Sequence, residues 1–162
     1  MERKIQLLMQ EKPVIQWICK SFDELSTPEL YSLLQLRSAV FVVEQNSIYQ
    51  DVDGKDLKSY HLMGTDNGTV IAYTRLLPKG MSYADQSVGR VVVAPSYRAY
   101  GLGFELMQRS IRASYELFGN DTIRISAQLY LKQFYESLGF RPVSDVYDED
   151  GIPHIEMVKI PG

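Results

Sequence analysis

The stretch VVVAPSYRAYGLGFELM, residues 91–107, joins a strand-like run to a helical pattern. Its first residues are β-branched, which predicts a strand buried on both faces that ends at Pro95. Arg98 follows, and Gly101 and Gly103 then lead into the helix. Glycines at such a junction clear space beside the backbone. The stretch therefore has two interpretations, an anion-binding loop at a helix N-terminus or a tight turn whose glycines serve packing.

The familiar nucleotide-binding motifs are absent from this stretch. A dinucleotide fingerprint, G-x-G-x-x-G, needs a third glycine where Leu106 stands, and no G-x-x-x-x-G-K-[ST] segment occurs. A helix N-terminus still offers free N–H groups and the positive end of the helix dipole to an anion. On the glycines alone, the anion site and the plain turn remain equally open.

Composition limits the class of protein. With 162 residues, of which 45% are hydrophobic, the chain is expected to form a single domain over residues 1–162. A net charge of −3 without a Lys/Arg cluster argues against nucleic acid as a partner. No apolar run approaches the ~20 residues of a membrane span, and the N-terminus lacks a secretory pattern. We therefore expect a cytoplasmic protein with no membrane partner.

Local patterns predict an α/β sheet of mixed strand direction. Ser26 or Thr27 caps a helix that continues through Phe41. Two dipeptides, Asn-Gly at 67–68 and Asp-Gly at 150–151, predict tight hairpins. The predicted order is strand, helix, loop, three strands, helix, strand, helix and two strands.

The opening stretch resembles a known family signature. It matches V-x-P-x-x-[QR]-x-x-G-x-[GA] of the GCN5-related N-acetyltransferases (GNAT) in every specified position. Further along the chain, FYESLGF at 134–140 is similar to a second signature of that family, and the element order agrees over nearly the whole chain. The resemblance favours the anion-binding interpretation of the glycines.

The resemblance implies a GNAT acyl-CoA N-acyltransferase fold, an α/β fold with a mixed, mostly antiparallel central sheet flanked by helices. It also implies acetyl-CoA as cosubstrate and direct transfer of the acetyl group to a primary amine. The loop backbone would hold the pyrophosphate, and the preceding strand would leave its neighbour and pair with the pantetheine amides. The residues implied in cofactor binding are Val91, Val92, Val93, Arg98, Ala99, Tyr100, Gly101, Leu102, Gly103 and Gln128.

Tyr135 has two interpretations. It lies on the apolar face of a predicted short helix with Leu131, Phe134 and Leu138, and that pattern alone favours a core tyrosine. The resemblance implies instead that Tyr135 stands near the cofactor thiol. There it would act as the general acid that protonates the departing thiolate.

The segment RSAVFVVEQNSIYQDVDGKD, residues 37–56, is the predicted acceptor side. Arg37 falls in the apolar stripe of the first helix and needs a carboxylate or a ligand, because an unpaired buried charge is costly. We expect Glu44 to be the general base, in an apolar setting that raises its pKa. The acidic residues favour a cationic amine. The residues expected to bind the substrate are Arg37, Asp51, Asp53, His61 and His154.

VFVVEQ, the acid-rich D-x-D, the following HL and GIPHIEM at 151–157 resemble the ElaA-like subfamily of small bacterial acetyltransferases. A weaker resemblance, to acyl-homoserine-lactone synthases, rests on the Arg, VF and acidic pattern of the same region. An acyltransferase of that type is a minor alternative. A non-catalytic CoA-binding module and a protein-interaction domain without a ligand are alternatives of other classes.

The remaining calls concern metals and partners. No His, Cys or carboxylate spacing indicates a metal site, and the single cysteine, Cys19, is interpreted as structural in a predicted strand. The expected partners are acetyl-CoA and a small amine or peptide amine. Membership of the family is also compatible with a homodimer.

Overall fold

The structure is a computed structural model that describes residues 12–162. Helices and strands alternate along the chain, and the expected order of elements is found, with one short additional strand, β6. Their bounds are β1 Gln16–Ser21, α1 Thr27–Arg37, β2 Tyr60–Asp66, β3 Thr69–Leu77, β4 Gln86–Val93, α2 Leu102–Phe118, β5 Ile123–Gln128, α3 Lys132–Ser137, β6 Arg141–Pro142, β7 Tyr147–Glu149 and β8 Ile152–Lys159.

The strands form one twisted sheet in the order β1-β2-β3-β4-β5-β8-β6, with β7 paired to β8. Every pairing is antiparallel except that of β4 with β5, which is parallel. A parallel pair needs a crossover connection, and α2 supplies it. The expectation of a mixed, mostly antiparallel sheet flanked by helices is confirmed.

Both predicted hairpins are present, for the reason that the sequence gave grounds to expect. Asn67 and Gly68 have φ values of 48° and 81°, and Asp150 and Gly151 have 52° and 81°. A type I′ turn requires positive φ at both central residues, which Asn-Gly and Asp-Gly tolerate best. The second turn carries β7 back along β8 and so brings the end of β7 to the middle of the sheet.

The two long helices cover opposite faces of the sheet. Ser26 caps α1 by accepting a hydrogen bond from the Glu29 N–H, as the sequence indicated. Helix α1 buries Leu33 and Leu36 against sheet residues that include Met63 and Tyr73. Helix α2 packs on the other face, where its apolar side chains Leu102, Leu106, Met107 and Ile111 meet residues of β2 to β5.

The first helix differs from its prediction. Its α-helical part ends at Arg37, and the chain continues in π-helical turns over Ser38–Glu44. Wider turns of this kind are frequent at functional sites. They place Val40 and Phe41 in the core and leave Glu44 at the surface.

Strand β4 contains a bulge that breaks its register with β3. Tyr73 pairs with Val92 and Arg75 pairs with Gly89, so β4 has one more residue than β3 between these pairs. Arg90 lies in the bulge with a φ of 52°, an uncommon value for a residue other than glycine. The bulge bends β4 next to the point where it parts from β5. Within residues 12–162, no helix is both long and apolar enough to cross a membrane.

Candidate active site

The sheet opens between β4 and β5. These strands are paired only at their beginnings, where Gln86 faces Ile123 and Ser87 faces Arg124. Beyond Ser87, β4 has no ladder partner on the β5 side, while β5 stays paired with β8 up to Gln128. Two parallel strands that part in this way leave a V-shaped gap with unpaired backbone groups on one wall.

A cavity of about 710 Å³ occupies this gap. Phe41 lines it from the α1 face, and Phe134 and Tyr135 line it from the α2 face. The cavity therefore reaches both sides of the sheet. Of the residues predicted for the site, those in its lining are Glu44, Val91, Val92, Val93, Arg98, Gly103, Gln128, Tyr135 and His154.

The loop between β4 and α2 leads to an uncapped helix start. Pro95–Tyr100 forms a 3-10 turn, and Gly101 follows in the left-handed conformation with a φ of 68°. No side chain caps the first turn of α2. The N–H groups of that turn, including that of Gly103, thus remain available to an anion beside the cavity. Leu102 contributes only its backbone, because its side chain is fully buried in the core.

Arg98 is held in place at the rim of the cavity. Its Nη1 and Nη2 donate to the two carboxylate oxygens of Glu44 at 2.6 and 2.9 Å, and its Nε donates to the Val93 carbonyl at 3.2 Å. Both side chains of the pair are nearly half exposed. The pair connects the loop before α2 with the end of the π-helical turns.

The setting expected for Glu44 is wrong. The side chain is exposed rather than apolar in its surroundings, and the hydrogen bonds from Arg98 lower its pKa. A carboxylate with a lowered pKa is a weaker base. The reason for assigning Glu44 as general base therefore falls away.

Tyr135 lies at the base of the cavity on the α2 face. Its ring packs edge-on against Phe134 and Phe140, and burial raises the pKa of its hydroxyl. That hydroxyl makes no hydrogen bond with any of residues 12–162. A buried phenol without a protein partner, facing a cavity, is available to a ligand atom.

Arg37 is fully buried and has carboxylate partners rather than a ligand. Its Nε donates to Asp51 at 2.9 Å, and its Nη1 donates to Asp56 at 2.7 Å. Arg75 donates to Asp53 at 2.8 and 2.9 Å and to Asp56 at 3.0 Å. The first of the two partners that the sequence allowed for Arg37, a carboxylate, is thus the one observed.

This network also holds the bulge of β4. Arg90 donates to the Asp51 carboxylate at 2.8 Å and to the Asp51 carbonyl at 3.0 Å, and its guanidinium lies 5.5 Å from the centre of the Tyr49 ring. Asp51 thereby links the buried Arg37 to the strand that forms one wall of the cavity. The loop of residues 45–58 acts as a brace for that wall.

His61 is part of the same buried region. Its Nε2 lies 3.0 Å from the Asp56 carbonyl, and its Nδ1 lies 2.7 Å from the Tyr73 hydroxyl. Burial lowers the pKa of His61. Arg37, Asp51, Asp53 and His61 are therefore engaged with the protein outside the cavity lining, and this corrects their expected place in the acceptor site.

His154 does reach the cavity, in company that the sequence analysis missed. Its Nε2 lies 3.2 Å from Glu149 Oε2, and its ring stacks on Tyr147. Ser126 hydrogen-bonds the Tyr147 hydroxyl and donates to Glu149 Oε2 at 3.4 Å. Alternation along β5 and the second hairpin is the only sequence signal that could have grouped Ser126 and Glu149 with His154.

Two further groups carry no chemistry in this site. Cys19 lies in β1, as expected, and burial raises the pKa of its thiol to about 11. It is therefore a poor nucleophile at neutral pH. Over residues 12–162, His, Cys, Asp and Glu form no group of three or more placed to hold a metal ion.

Known proteins share both the sequence and the opened sheet. Residues 29–161 match the acetyltransferase (GNAT) domain. Protein ElaA of Escherichia coli (strain K12) is 42% identical over 148 residues, which span 90% of this chain and 97% of that protein. The crystal structure of Escherichia coli ElaA superimposes with a TM-score of 0.85 at 41% identity, covering 90% of this chain and 99% of that one.

A second solved structure is equally similar. An acyl-CoA N-acyltransferase from Pseudomonas aeruginosa has a TM-score of 0.86 and 43% identity, with 90% of this chain and 99% of that chain covered. The fold is thus the GNAT acyl-CoA N-acyltransferase fold. The chain belongs to the GNAT acetyltransferase family and, within it, to the ElaA-like subfamily.

The weaker resemblance noted in the sequence is also visible in three dimensions. The acyl-homoserine-lactone synthase LasI superimposes with a TM-score of 0.71 at 14% identity, covering 90% of this chain and 88% of that one. At this identity the likeness concerns the fold alone.

Proposed function

We propose that this protein is an N-acetyltransferase that moves the acetyl group of acetyl-CoA to a primary amine by direct attack. The observation that carries the proposal is one continuous cavity with three features. It has the unpaired edge of β4 on one wall, the uncapped start of α2 at one end and the unpartnered Tyr135 hydroxyl at its base. Each feature meets one part of an acyl-CoA.

The cofactor enters from the α2 face. The pyrophosphate lies over the first turn of α2, where Gly101 and Gly103 leave the backbone open and the helix dipole favours negative charge. Arg98 adds a positive charge at the same end once it exchanges Glu44 for phosphate oxygens. The pantetheine arm extends along Val91–Val93 and uses backbone groups that β5 does not pair.

The reaction exchanges one bond for another. The amine nitrogen attacks the carbonyl carbon of the thioester, the C–N bond forms, and the C–S bond then breaks. A backbone N–H of β4 polarises the carbonyl oxygen. The nitrogen loses a proton, and Tyr135 delivers a proton to the departing thiolate, whose ordinary pKa is near 8.5. The products are the N-acetylated amine and CoA with a free thiol.

The acceptor amine enters from the α1 face. Phe41 and Gln45 line that half of the cavity, and the turn between β7 and β8 closes its far side. Ser47 donates to the Asp150 carbonyl at 3.0 Å and ties the two sides together. Cofactor and acceptor would therefore meet within the gap of the sheet from opposite faces.

A paired experiment tests the proposal. Acetyl-CoA consumption is screened over polyamines, amino acids, aminoglycosides and lysine peptides, and the thermal shift with acetyl-CoA is recorded on the same protein. We expect turnover with at least one amine, and stabilisation of about 2.7 kcal/mol at a hundredfold excess of acetyl-CoA over its Kd. A shift without turnover favours a non-catalytic CoA-binding module. Absence of both contradicts the proposal and favours a protein-interaction domain.

A further inference from the structure

The corner of the cavity formed by β5, β7 and β8 holds a carboxylate that lacks a basic partner. Glu149 lies in the cavity lining, and its contacts are with His154 and Ser126, not with a lysine or arginine among residues 12–162. Glu44, the other glutamate in the lining, is neutralised by Arg98. The nearest arginine of β5, Arg124, is bound to Asp85 and Glu156 instead.

His154 is oriented so that one nitrogen faces this carboxylate. Its Nδ1 lies 2.7 Å from the Ile152 carbonyl oxygen, which can only accept a hydrogen bond, so Nδ1 carries the proton. In the neutral ring Nε2 is then the basic nitrogen, and it lies 3.2 Å from Glu149 Oε2. A proton taken up on Nε2 would be stabilised at once by that carboxylate.

The aromatic and hydroxyl groups of the corner fix this geometry. Tyr147 stacks on the His154 ring at 6.1 Å between ring centres and shares a hydrogen bond with Ser126. Ser126 also donates to Glu149 Oε2, so that oxygen has two protein contacts. The other carboxylate oxygen, Oε1, has no bond to any of residues 12–162 and is free for a ligand.

We infer that this corner binds the acceptor as an alkylammonium ion, with Glu149 as its counter-charge and His154 as the group that takes its proton. The inference rests on the proposed function, which requires an amine, and adds the chemical class of that amine. The ammonium nitrogen gives one proton to His154 Nε2, and the neutral amine that remains attacks the thioester. The imidazolium then releases its proton to solvent along Glu149, whose side chain is about half exposed.

Other ionisable groups around His154 enter the same pH response. Tyr147 and Glu149 face it from β7, and Glu156 lies on the same face of β8, two residues further on. Glu156 is paired with Arg124 at 3.3 Å, and β5 presents the uncharged Gln128 opposite His154. Glu156 is thus a matched control, a glutamate on the same face that lies outside the cavity lining.

The two histidines of the chain make a direct test available. The ring C–H proton resonances of His154 and His61 are followed by NMR while n-butylammonium is titrated into the protein, both alone and saturated with CoA. n-Butanol serves as the uncharged control ligand. We expect n-butylammonium to move the His154 resonance and n-butanol to leave it in place. His61, buried and bonded through both nitrogens, is the internal reference.

Two substitutions separate the roles. Glu149→Gln should weaken n-butylammonium binding at least about tenfold, as expected when a sole counter-charge is removed, whereas Glu156→Gln should change it less than about twofold. His154→Gln should keep most of the binding and lower kcat for acetylation of n-butylamine by acetyl-CoA. Such a split between binding and kcat would not result from a purely structural role of the hairpin.

The outcomes distinguish this inference from the proposed function. If CoA stabilises the protein but n-butylammonium moves neither resonance, or binds equally well to Glu149→Gln, the alkylammonium assignment is overturned and the cofactor site stands. Binding of n-butylammonium without any acetylation removes the role of His154 as proton acceptor. If CoA does not bind, the proposed function fails, and the titration of the CoA-free protein still decides whether the corner takes an ammonium ion.

Discussion

Arg98 and Glu44 form a two-point ion pair at the rim of the cavity, with N···O distances of 2.6 and 2.9 Å. Arg98 belongs to the loop that the proposal gives to the cofactor pyrophosphate, and Glu44 is the carboxylate that neutralises it. An acyl-CoA must therefore exchange places with Glu44 to use the full charge of Arg98. The pair makes the cofactor end of the cavity neutral until the cofactor arrives.

Glu44→Gln should consequently tighten acetyl-CoA binding. Loss of the carboxylate frees Arg98 and removes a negative charge next to the phosphates, an effect of about three- to tenfold for exposed groups. Turnover should stay within about twofold, because Glu44 does not serve as the base. Isothermal titration calorimetry and steady-state rates measure both, with Glu136→Gln as the control at an equally exposed glutamate paired to Lys132. Weaker binding, or a large loss of turnover, would restore Glu44 as a catalytic group.

Tyr135→Phe should separate chemistry from binding. Removal of a general acid costs about 10²- to 10⁴-fold in turnover, while a hydroxyl without protein partners contributes little to holding the cofactor. We expect kcat to fall within that range and the Kd of acetyl-CoA to change less than about twofold. Tyr31→Phe, at an exposed tyrosine of α1, is the matched control. Equal kcat for Tyr135→Phe and the wild type would exclude Tyr135 as the acid.

Asp51→Asn should destabilise the fold. Asp51 is the shared partner of the buried Arg37 and of Arg90 in the bulge, and removing one member of a buried ion pair typically costs about 3–5 kcal/mol. The free energy of unfolding, measured by urea denaturation, should fall by that order. Lys79→Gln, which breaks the exposed pair with Asp121, should cost less than about 1 kcal/mol. Similar losses for the two variants would mean that the network does not brace the wall of the cavity.

The free energy of unfolding should vary with pH at both extremes. Burial opposes it, but hydrogen bonds from Arg75 prevail and lower the pKa of Asp53 to about 2, against about 3.9 in an unfolded chain. A lowered folded-state pKa contributes stability above pH ~3.9 that is lost as the pH falls toward 2. Burial raises the pKa of Tyr73 and Tyr135, so stability should also fall as the pH rises above about 10.

Urea midpoints between pH 2 and 11 check both limbs. Asp53→Asn should flatten part of the acid limb and leave the alkaline limb unchanged, since the tyrosines are untouched. An acid limb identical to that of the wild type would show that Asp53 is not held below its ordinary pKa.

The sequence was sufficient for the fold and for the cofactor side of the site. Signals that act over a few residues carried those predictions: Asn67-Gly68 for a hairpin, Ser26 for a helix cap, and Arg98 with Gly101 and Gly103 for the loop. Each depends on local backbone conformation, which neighbouring residues largely determine. The family signatures then supplied the order of the elements around the loop.

The acceptor side could not be obtained in that way. Arg37 was correctly identified as a charge in need of a partner, but its partners lie 14 and 19 residues away, in a loop without periodicity. The same carboxylates were therefore assigned to the substrate. Glu149 reaches Ser126 only through the pairing of β7 and β5 with β8, a register that a single sequence does not reveal.

The most direct test of the central claim is a calorimetric titration of acetyl-CoA into the wild type and into Gly101→Val. Gly101 has a φ of 68°, which strains a β-branched residue even though the space beside it is open. We predict saturable binding to the wild type and loss of binding to a Gly101→Val protein whose circular dichroism spectrum is unchanged. Absence of binding to the wild type, or equal binding to both folded proteins, would contradict the assignment of this loop and cavity to an acyl-CoA.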